Sequence, residues 1–240
     1  MVKSGRSFWF FAHRGASGHE PENTLRSVRR ALAMGAPWVE VDVLAVDGEA
    51  VVIHDEYLER TTNGKGPVSA GPLSYLRSLD AGMGEPIPLL GEVLECVAGR
   101  AGVNVEIKGP DAAAPTARVL GDYLEKGRLG PEEVIVSSFH HDILRRFHLL
   151  LPAVKTGLLF GGQPRRLGTL SRQTGAFSVH MNHRLCHAGI VERVRREGLK
   201  LFVYTVNNEE DLKRVLALGV DGVFSDYPEL LPLAKRLFRP

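Results

Sequence analysis

Short apolar runs alternate along the chain with segments in which apolar residues recur every three or four positions. The runs have the length of single β-strands, and the recurring segments are typical of helices with one buried face. Runs predicted to be parallel strands begin at residues 8, 38, 103, 134, 154, 176, 200 and 221. Eight strands that alternate with helices over roughly 250 residues predict a (β/α)8 barrel of the TIM type.

An open, doubly wound sheet is the alternative architecture. The fingerprint Gly-x-Gly-x-x-Gly that opens many such folds does not follow the first apolar run, residues 8–11, which favours the barrel. A chain of 240 residues is long enough for one large α/β domain or two small ones, and the eight predicted strands of one barrel spread along nearly all of it. We therefore expect a single domain over residues 1–240.

One pair of apolar runs departs from the alternation of strands and helices. Residues 38–43 and 51–53 are separated by a link containing Asp47-Gly48, a strong signal for a tight hairpin turn. The link is too short for a parallel crossover, which needs about a dozen residues. The strand before His54 should therefore run antiparallel to the second strand, outside the count of eight, and return His54 to the neighbourhood of Glu40.

Residues 56–88 show no sustained period and are rich in glycine and proline. A loop of this length in a compact domain is usually functional or disordered. Because the segment leaves directly from His54 and Asp55, we predict a lid over a site. A tolerated surface insertion is the alternative.

The stretch between the first strand and the first helix has several turn-forming residues. Either Asn23 or Thr24 is predicted to cap the helix. The spacing of Leu25, Val28 and Leu32 predicts its buried face. The preceding loop, which begins with His13, thus lies at the carboxyl end of a strand, where α/β folds keep their chemistry.

Charge and composition narrow the classes of partner. A net charge of +2 is too small to indicate nucleic-acid binding. No apolar segment approaches the roughly 20 residues of a membrane helix, and the N-terminal run is shorter than a signal-peptide core. Cys96 and Cys186 form no Cys-x-x-Cys pair, so we expect reduced thiols and a cytoplasmic protein. The sequence leaves the oligomeric state open.

Charged residues stand near the carboxyl ends of the second and third strands. Strand side chains alternate between faces, so Glu40 and Asp42 point the same way, as do Asn104, Glu106 and Lys108. Burying a carboxylate in a barrel costs several kcal/mol unless it is paired or metal-bound. Three carboxylates without cysteine ligands favour a hard cation, Mg²⁺ or Ca²⁺. Ion pairing with Lys108 is the alternative.

Two histidines end strands beside these carboxylates, His13 after the first run and His54 after the hairpin. A lone histidine is more often a structural hydrogen-bonding residue, but two beside three carboxylates suit acid–base chemistry near neutral pH. Arg14 and Lys108 are suited to hold a phosphate, arginine through its bidentate fork. His180, at the end of the sixth strand, is a weaker candidate for the same mouth.

These residues belong to motifs by which the sequence resembles the glycerophosphodiester phosphodiesterases. The motifs follow one another through nearly the whole chain: His13-Arg14-Gly15, Pro21-Glu22-Asn23-Thr24, Glu40-Val41-Asp42, His54-Asp55, Arg60-Thr61-Thr62-Asn63-Gly64, Val105-Glu106-Ile107-Lys108, Tyr204-Thr205-Val206-Asn207 and Asp221-Gly222-Val223-Phe224-Ser225-Asp226-Tyr227-Pro228. The resemblance implies a TIM-type barrel with a small insertion. It also implies hydrolysis of glycerophosphodiesters to sn-glycerol 3-phosphate and an alcohol.

The resemblance further implies roles for individual residues. His13 and His54 would be the catalytic pair, Glu40, Asp42 and Glu106 the ligands of a divalent metal, and Arg14 and Lys108 the contacts to phosphate. Tyr204 stands where the family usually has tryptophan, which would alter the wall against the substrate alcohol. Ile87-Pro88-Leu89-Leu90 replaces the usual Ile-Pro-Thr-Leu.

Two other functions compete with this interpretation. A phospholipase-D-like activity on lysophospholipids would need an apolar groove, to which Pro67, Leu73, Tyr75 and Leu76 could contribute. A catalytically silent barrel that binds phosphate esters is the other, but no candidate histidine or carboxylate is missing from the motifs.

Overall fold

The computed structural model describes residues 8–238. Its strands are β1 (Trp9–Ala12), β2 (Trp38–Val46), β3 (Glu49–Val52), β4 (Gly102–Ile107), β5 (Val134–Ser138), β6 (Lys155–Phe160), β7 (Ala176–Asn182), β8 (Lys200–Tyr204) and β9 (Gly222–Ser225). Its helices are α1 (Leu25–Ala33), α2 (Leu73–Ser78), α3 (Leu90–Val97), α4 (Ala113–Glu125), α5 (His141–Leu150), α6 (Leu167–Thr174), α7 (Ala188–Arg196), α8 (Glu209–Leu218) and α9 (Leu231–Leu237). Each parallel strand begins within one residue of its predicted start.

The parallel strands close into a barrel. Hydrogen bonds join them in the order β1–β9–β8–β7–β6–β5–β4–β2, and β1 pairs in turn with β2. Every one of these pairings is parallel. Parallel neighbours require long crossovers, and the helices that supply them cover the outside of the sheet. The predicted (β/α)8 TIM barrel is confirmed.

The predicted hairpin is also confirmed. β3 runs antiparallel to β2, from the pair Val46 and Glu49 to the pair Val43 and Val52. Asp47 and Gly48 form the turn with φ of 52° and 77°, the left-handed conformation that a two-residue hairpin turn of this kind requires. β2 therefore has two roles along its length: its first part belongs to the barrel, and its end belongs to the hairpin.

Two separate apolar cores belong to the barrel itself. The larger lies between the barrel and its helices and includes outward-facing valines such as Val41, Val105 and Val136. The smaller lies inside the barrel. We call its lower aromatic part the aromatic floor: Trp9, Phe11, Trp38, Phe202 and Phe224. Its rings pack closely, with centroids 4.4 Å apart for Phe11 and Phe224 and 5.0 Å apart for Phe11 and Phe202.

Helix α1 begins as the sequence indicates. Thr24 is the cap, and its side chain accepts a hydrogen bond from the Ser27 backbone N–H. Val28 is fully buried as expected. The predicted neighbours Leu25 and Leu32 are only half-buried against the core. The buried stripe is shifted toward Ser27, because the loop after β1 packs directly on the first turn of the helix.

Residues 56–88 are more structured than their composition suggests. Helix α2 lies within them and was not expected, because its six residues are too few for a period to be recognised. The apolar side chains of the segment form a small core with the hairpin: Val46, Val51, Ile53, Leu58, Val68, Leu76, Leu79, Ala81 and Ile87. The segment ends by pairing with β3, where the Val52 N–H donates to the Pro88 carbonyl at 2.8 Å.

Two expectations about the chain as a whole bear on its surroundings. In the part of the chain that the structure describes, none of the helices is both long enough and apolar enough to cross a membrane. Cys96 and Cys186 are both free thiols, and burial raises the pKa of Cys186 to about 11.

Candidate active site

The candidate residues from β1, β2 and β4 meet at the carboxyl end of the barrel. Glu40 is paired in register with Asn104, and Asp42 with Glu106, so the inward faces of β2 and β4 align. The Ile53 N–H donates to the Asp42 carbonyl at 3.1 Å. The hairpin thereby brings His54 back to these carboxylates, as its geometry predicted.

Glu40, Asp42 and Glu106 form a compact acidic group. One oxygen from each lies within 4.8 Å of the others. The three residues are 2%, 1% and 8% exposed, respectively. Three buried carboxylates this close repel one another strongly, so the arrangement is unfavourable unless cations approach it.

The loop after β1 orients two of these carboxylates. The Arg14 backbone N–H donates to Glu40 Oε2 at 2.8 Å, and Asn23 Nδ2 donates to Asp42 Oδ2 at 2.9 Å. Arg14 and Asn23 have φ of 55° and 58°, which non-glycine residues adopt at a cost. Gly15 follows with φ of 78°, and a Cβ there would lie 2.4 Å from Ser27 Oγ. The loop thus has a strained backbone conformation, which directs hydrogen-bond donors toward Glu40 and Asp42.

Lys108 supplies part of the missing positive charge. Its Nζ lies 2.6 Å from Glu106 Oε1 and 3.2 Å from Asp42 Oδ1. The side chain of Arg14 approaches Asp42 Oδ2 with its Nε at 3.3 Å. The ion-pairing alternative is therefore realised for two carboxylates. Among the described residues, Glu40 has no side-chain partner closer than His13 Nε2 at 4.0 Å.

The pKa values of the three carboxyls diverge as a result. Burial, followed by the charge of Asp42, raises the pKa of Glu40 to about 8. Burial and the same charge raise the pKa of Glu106. Burial also opposes the ionisation of Asp42, but Lys108 and Arg14 outweigh it and lower the pKa of Asp42. The group holds more carboxylates than its own cations can keep ionised.

Each candidate histidine has a carboxylate on its Nδ1. His13 Nδ1 lies 2.7 Å from Asp226 Oδ1, and His54 Nδ1 lies 2.5 Å from Asp55 Oδ1. Burial opposes protonation of His13, but Asp226 and Glu40 outweigh it, so the pKa of His13 is raised. Burial lowers the pKa of His54 despite the charge of Asp42. The carboxylates leave Nε2 of each ring for other partners.

A cavity of about 180 Å³ brings these groups together. It is lined by His13, Arg14, Glu40, His54, Asn104, Glu106, Lys108, Ser137, Phe139, Leu159, His180, Tyr204, Thr205 and Phe224. Six charged or titratable residues of this lining, together with Asp42, which contacts Lys108, form what we call the charged mouth: His13, Arg14, Glu40, Asp42, His54, Glu106 and Lys108. A wider pocket of about 570 Å³ adjoins it on the side of His54 and Tyr57.

The two weaker candidates take different places in the cavity. Tyr204 forms part of its wall and donates from its hydroxyl to the Phe160 carbonyl at 3.3 Å. His180 is only 1% exposed and lies among Phe202 and Phe224, with Ser178 Oγ 2.8 Å from its Nε2. Burial lowers the pKa of His180 to about 3, so it stays neutral beneath the charged groups.

Sequence reasoning assigned no role in the site to Asp226, Asn23 or Glu22, which hold the candidate residues in place. Asp226 also accepts from Ser17 Oγ at 2.9 Å, and Glu22 Oε1 accepts from Arg14 Nη1 at 2.7 Å. One signal could have found Asp226, because it follows β9 at the same end of the barrel at which His13 follows β1.

Comparison with known proteins agrees with this geometry. The glycerophosphoryl diester phosphodiesterase family model matches residues 13–230. A glycerophosphodiester phosphodiesterase of Caldanaerobacter subterraneus subsp. tengcongensis is 38% identical over 234 residues, covering 92% of this chain and 94% of that protein. A glycerophosphodiester phosphodiesterase of Bacillus subtilis is 34% identical, over 94% of this chain and 85% of its own.

Solved structures give the same result. The chain is similar to a phosphodiesterase from Oleispira antarctica in complex with the product sn-glycerol-3-phosphate, with a TM-score of 0.88 and 31% identity, over 95% of this chain and 96% of that chain. A glycerophosphodiester phosphodiesterase from Agrobacterium tumefaciens aligns with a TM-score of 0.79 and 29% identity, over 94% and 99% of the two chains. Motifs, barrel and relatives agree: the chain belongs to the glycerophosphoryl diester phosphodiesterase family.

Proposed function

We propose that this phosphodiesterase hydrolyses small glycerophosphodiesters to sn-glycerol 3-phosphate and an alcohol, with His13 and His54 as its acid–base pair. The observation that carries the proposal is the convergence of two carboxylate-bound histidines and two cations on one cavity. The related Oleispira protein binds the product that this reaction would yield.

A divalent cation fits the acidic group. Its donors are three carboxylates, the set that Mg²⁺ and Ca²⁺ prefer. The raised pKa of Glu40 and Glu106 means that the group lacks positive charge, even with Lys108 in contact. Glu40, Asp42 and Glu106 would hold the ion. When bound, it would neutralise phosphate charge and lower the pKa of a coordinated hydroxyl.

The chain's own residues then have separable tasks. Arg14 and Lys108 would bind the phosphate oxygens and balance charge as the new P–O bond forms. One histidine would take the proton of the nucleophile, and the other would protonate the departing alkoxide. The pKa of His13 is raised and that of His54 is lowered, so the two imidazoles differ in how readily they hold a proton. Tyr204 would bound the space for the alcohol.

The nucleophile is either water or the neighbouring glycerol hydroxyl, which would first form a cyclic phosphate. A substrate lacking that hydroxyl separates the two routes. It cannot cyclise, so turnover at the rate of the normal substrate indicates water, whereas loss of turnover indicates the cyclic route.

A substrate screen tests the function itself. The purified protein is treated with chelator, reloaded with Mg²⁺ or Ca²⁺, and offered glycerophosphocholine, glycerophosphoethanolamine, glycerophosphoglycerol and a lysophospholipid. Release of sn-glycerol 3-phosphate in the presence of cation supports the proposal. Binding without turnover would indicate a silent barrel, and full turnover by the chelated enzyme would exclude the cation.

The lysophospholipid arm tests the competing activity. The structure removes part of its basis, because Leu76 is fully buried in the core of the insertion rather than lining a groove. Pro67 does line a cleft of about 340 Å³, together with Leu44, Tyr57 and Val68. Hydrolysis of the lysolipid faster than the deacylated diesters would favour the phospholipase-D-like activity.

Two further predictions remain proposals. We propose that residues 56–88 act as a lid, since the wider pocket beside His54 is bounded by Glu56 and Tyr57 of this segment.

We also propose a cytoplasmic location, which the two free thiols support. Cell fractionation followed by immunodetection tests the location.

A further inference from the structure

Arg60 connects the insertion to both sides of the charged mouth. It belongs to the motif Arg60-Thr61-Thr62-Asn63-Gly64, which the proposed reaction does not use. Its Nη1 and Nη2 donate to Glu22 Oε2 and Oε1 at 2.7 and 2.8 Å. Its Nε donates to Asp55 Oδ2. One guanidinium thus spans two carboxylates that come from different loops.

Each of these carboxylates also holds a residue of the mouth. Asp55 uses its other oxygen, Oδ1, to contact His54 Nδ1. Glu22 Oε1 accepts from Arg14 Nη1 at 2.7 Å. A continuous series of side-chain contacts therefore runs from His54 through Asp55, Arg60 and Glu22 to Arg14.

Packing and hydrogen bonds fix the backbone on both sides of Arg60. Leu58 is 1% exposed in the core of the insertion. The Thr62 N–H and Thr62 Oγ1 both donate to the Leu58 carbonyl, at 3.0 and 2.7 Å. Asn63 is tied to Asp80 through two hydrogen bonds of 3.0 Å. The position of the guanidinium is thus set by the packing of the insertion.

Stability alone does not account for the bridge. The Arg60 side chain is 48% exposed, and ion pairs at such exposed positions add little to the free energy of unfolding. Orientation is more sensitive than stability, because displacing a reacting group by about 1 Å can lower a rate by about 10²-fold.

We propose that Arg60 is a positioning residue that fixes His54 and Arg14 relative to each other, acting through Asp55 and Glu22. The insertion thereby sets the geometry of the mouth as well as covering it. This inference rests on the proposed roles of His54 and Arg14 in hydrolysis.

The insertion contains a matched control, Arg77. It also forms a bidentate pair, with Glu92 at 2.7 Å for both contacts, and it donates to the Ile87 carbonyl at 2.6 Å. None of these groups lines the cavity. Arg77→Met therefore measures the cost of losing an arginine that only ties the insertion together.

The experiment compares Arg60→Met, Arg60→Lys and Arg77→Met by thermal unfolding and by steady-state hydrolysis of glycerophosphocholine. We expect similar small losses of Tm for Arg60→Met and Arg77→Met. Arg60→Met should lower kcat by about 10–100-fold and raise KM, the cost of misplacing reacting groups, whereas Arg77→Met should keep both constants within twofold. Arg60→Lys should recover little, because one ammonium cannot span both carboxylates.

Single-branch variants separate the two arms of the bridge. Asp55→Asn should act mainly on kcat, through His54, and Glu22→Gln mainly on KM, through Arg14. Combining Arg60→Met with Asp55→Asn should cost less in kcat than the product of the two single losses, since both act on one pathway.

Three results would overturn the inference. Unchanged kinetics in Arg60→Met would do so, as would equal losses in Arg60→Met and Arg77→Met. Fully multiplicative losses in the double variant would show that Arg60 does not act through Asp55. Wild-type protein that turns over no glycerophosphodiester would instead remove the proposed function, and this inference with it.

Discussion

The two ends of the barrel interior differ in how their buried side chains are stabilised. The aromatic floor is satisfied by its own packing, with rings stacked across the barrel from β1 to β8 and β9. The charged mouth lies at the carboxyl end of the barrel, and the side chains of Lys108 and Arg14 contact only two of its three carboxylates, Asp42 and Glu106. The floor therefore stabilises the fold, whereas the mouth has too little positive charge for its carboxylates. A cationic ligand can supply that charge.

The largest predicted effect comes from removing one carboxylate from the charged mouth. Glu106→Gln should reduce activity to background, because a cation would lose one of three ligands, while the fold should remain intact because repulsion among the carboxylates falls. Cation-dependent protection against heat should also vanish. Activity assays and thermal unfolding with and without Mg²⁺ measure both, with the exposed Glu95→Gln as the control.

A variant Glu106→Gln that turned over substrate at the wild-type rate would exclude Glu106 as a ligand. A cation-dependent rise in Tm equal to that of the wild type would have the same meaning.

The next largest effect concerns proton transfer. If His54 protonates the leaving alkoxide, His54→Ala should lower kcat by ~10²–10⁴ on a natural diester. A nitrophenyl ester should suffer much less, because its leaving group departs without a proton. Steady-state kinetics on both substrates measure the difference, and His19→Ala, outside the cavity, is the control.

Equal losses on both esters would assign His54 to the nucleophile or to phosphate positioning. Unimpaired hydrolysis of the natural diester would remove His54 from the mechanism.

The aromatic floor should respond in the opposite manner to the mouth. Phe202→Ala deletes a fully buried ring that contacts Phe11 and should cost about 3–5 kcal/mol of unfolding free energy. Activity per folded molecule should fall far less than in Glu106→Gln, since no charged group is removed. Denaturant unfolding and active-site-normalised kinetics measure the two quantities. A stable but inactive Phe202→Ala would show that floor and mouth are not separable.

The smallest effect expected is a pH dependence of cation binding. A bound cation requires ionised carboxylates, and the pKa of Glu40 is raised to about 8. Protons should therefore compete increasingly as pH falls below that value, weakening binding by up to about tenfold per pH unit. The rise in Tm at a fixed, subsaturating Mg²⁺ concentration should be larger at pH 8.5 than at pH 6.5. Glu40→Gln should flatten this difference, and an equal rise at both pH values would contradict the assignment.

The sequence predicted the barrel well because each strand is a short apolar run and each helix carries its own period. The hairpin followed from Asp47 and Gly48, and the carboxylates of the mouth followed from the alternation along β2 and β4. These signals are local, so they can be read without knowing which strands become neighbours.

What the sequence did not predict depends on contacts made by closure of the fold. Asp226 reaches His13 across 213 positions of the chain, and the two residues meet only when the last strand closes the barrel against the first. Either Asn23 or Thr24 was expected to cap the first helix; Thr24 forms the cap, and the contact that Asn23 makes to Asp42 instead was not predicted. Helix α2 was missed because six residues leave too short a period to detect.

The hairpin described above has a consequence for protein handling and engineering. A closed barrel has no free β edge, but the hairpin adds one along β3. The last three residues of β3 and the residue after it, Ala50 to Ile53, are apolar. That edge is occupied by Pro88 and Leu89, through the Val52 hydrogen bond and a bridge between Val51 and Leu89. A segment exchange that replaces residues 56–88 but omits this pairing would leave β3 as an unpaired, apolar edge strand. Such a chimera should self-associate into aggregates even with its barrel intact, so Pro88 and Leu89 belong with the scaffold.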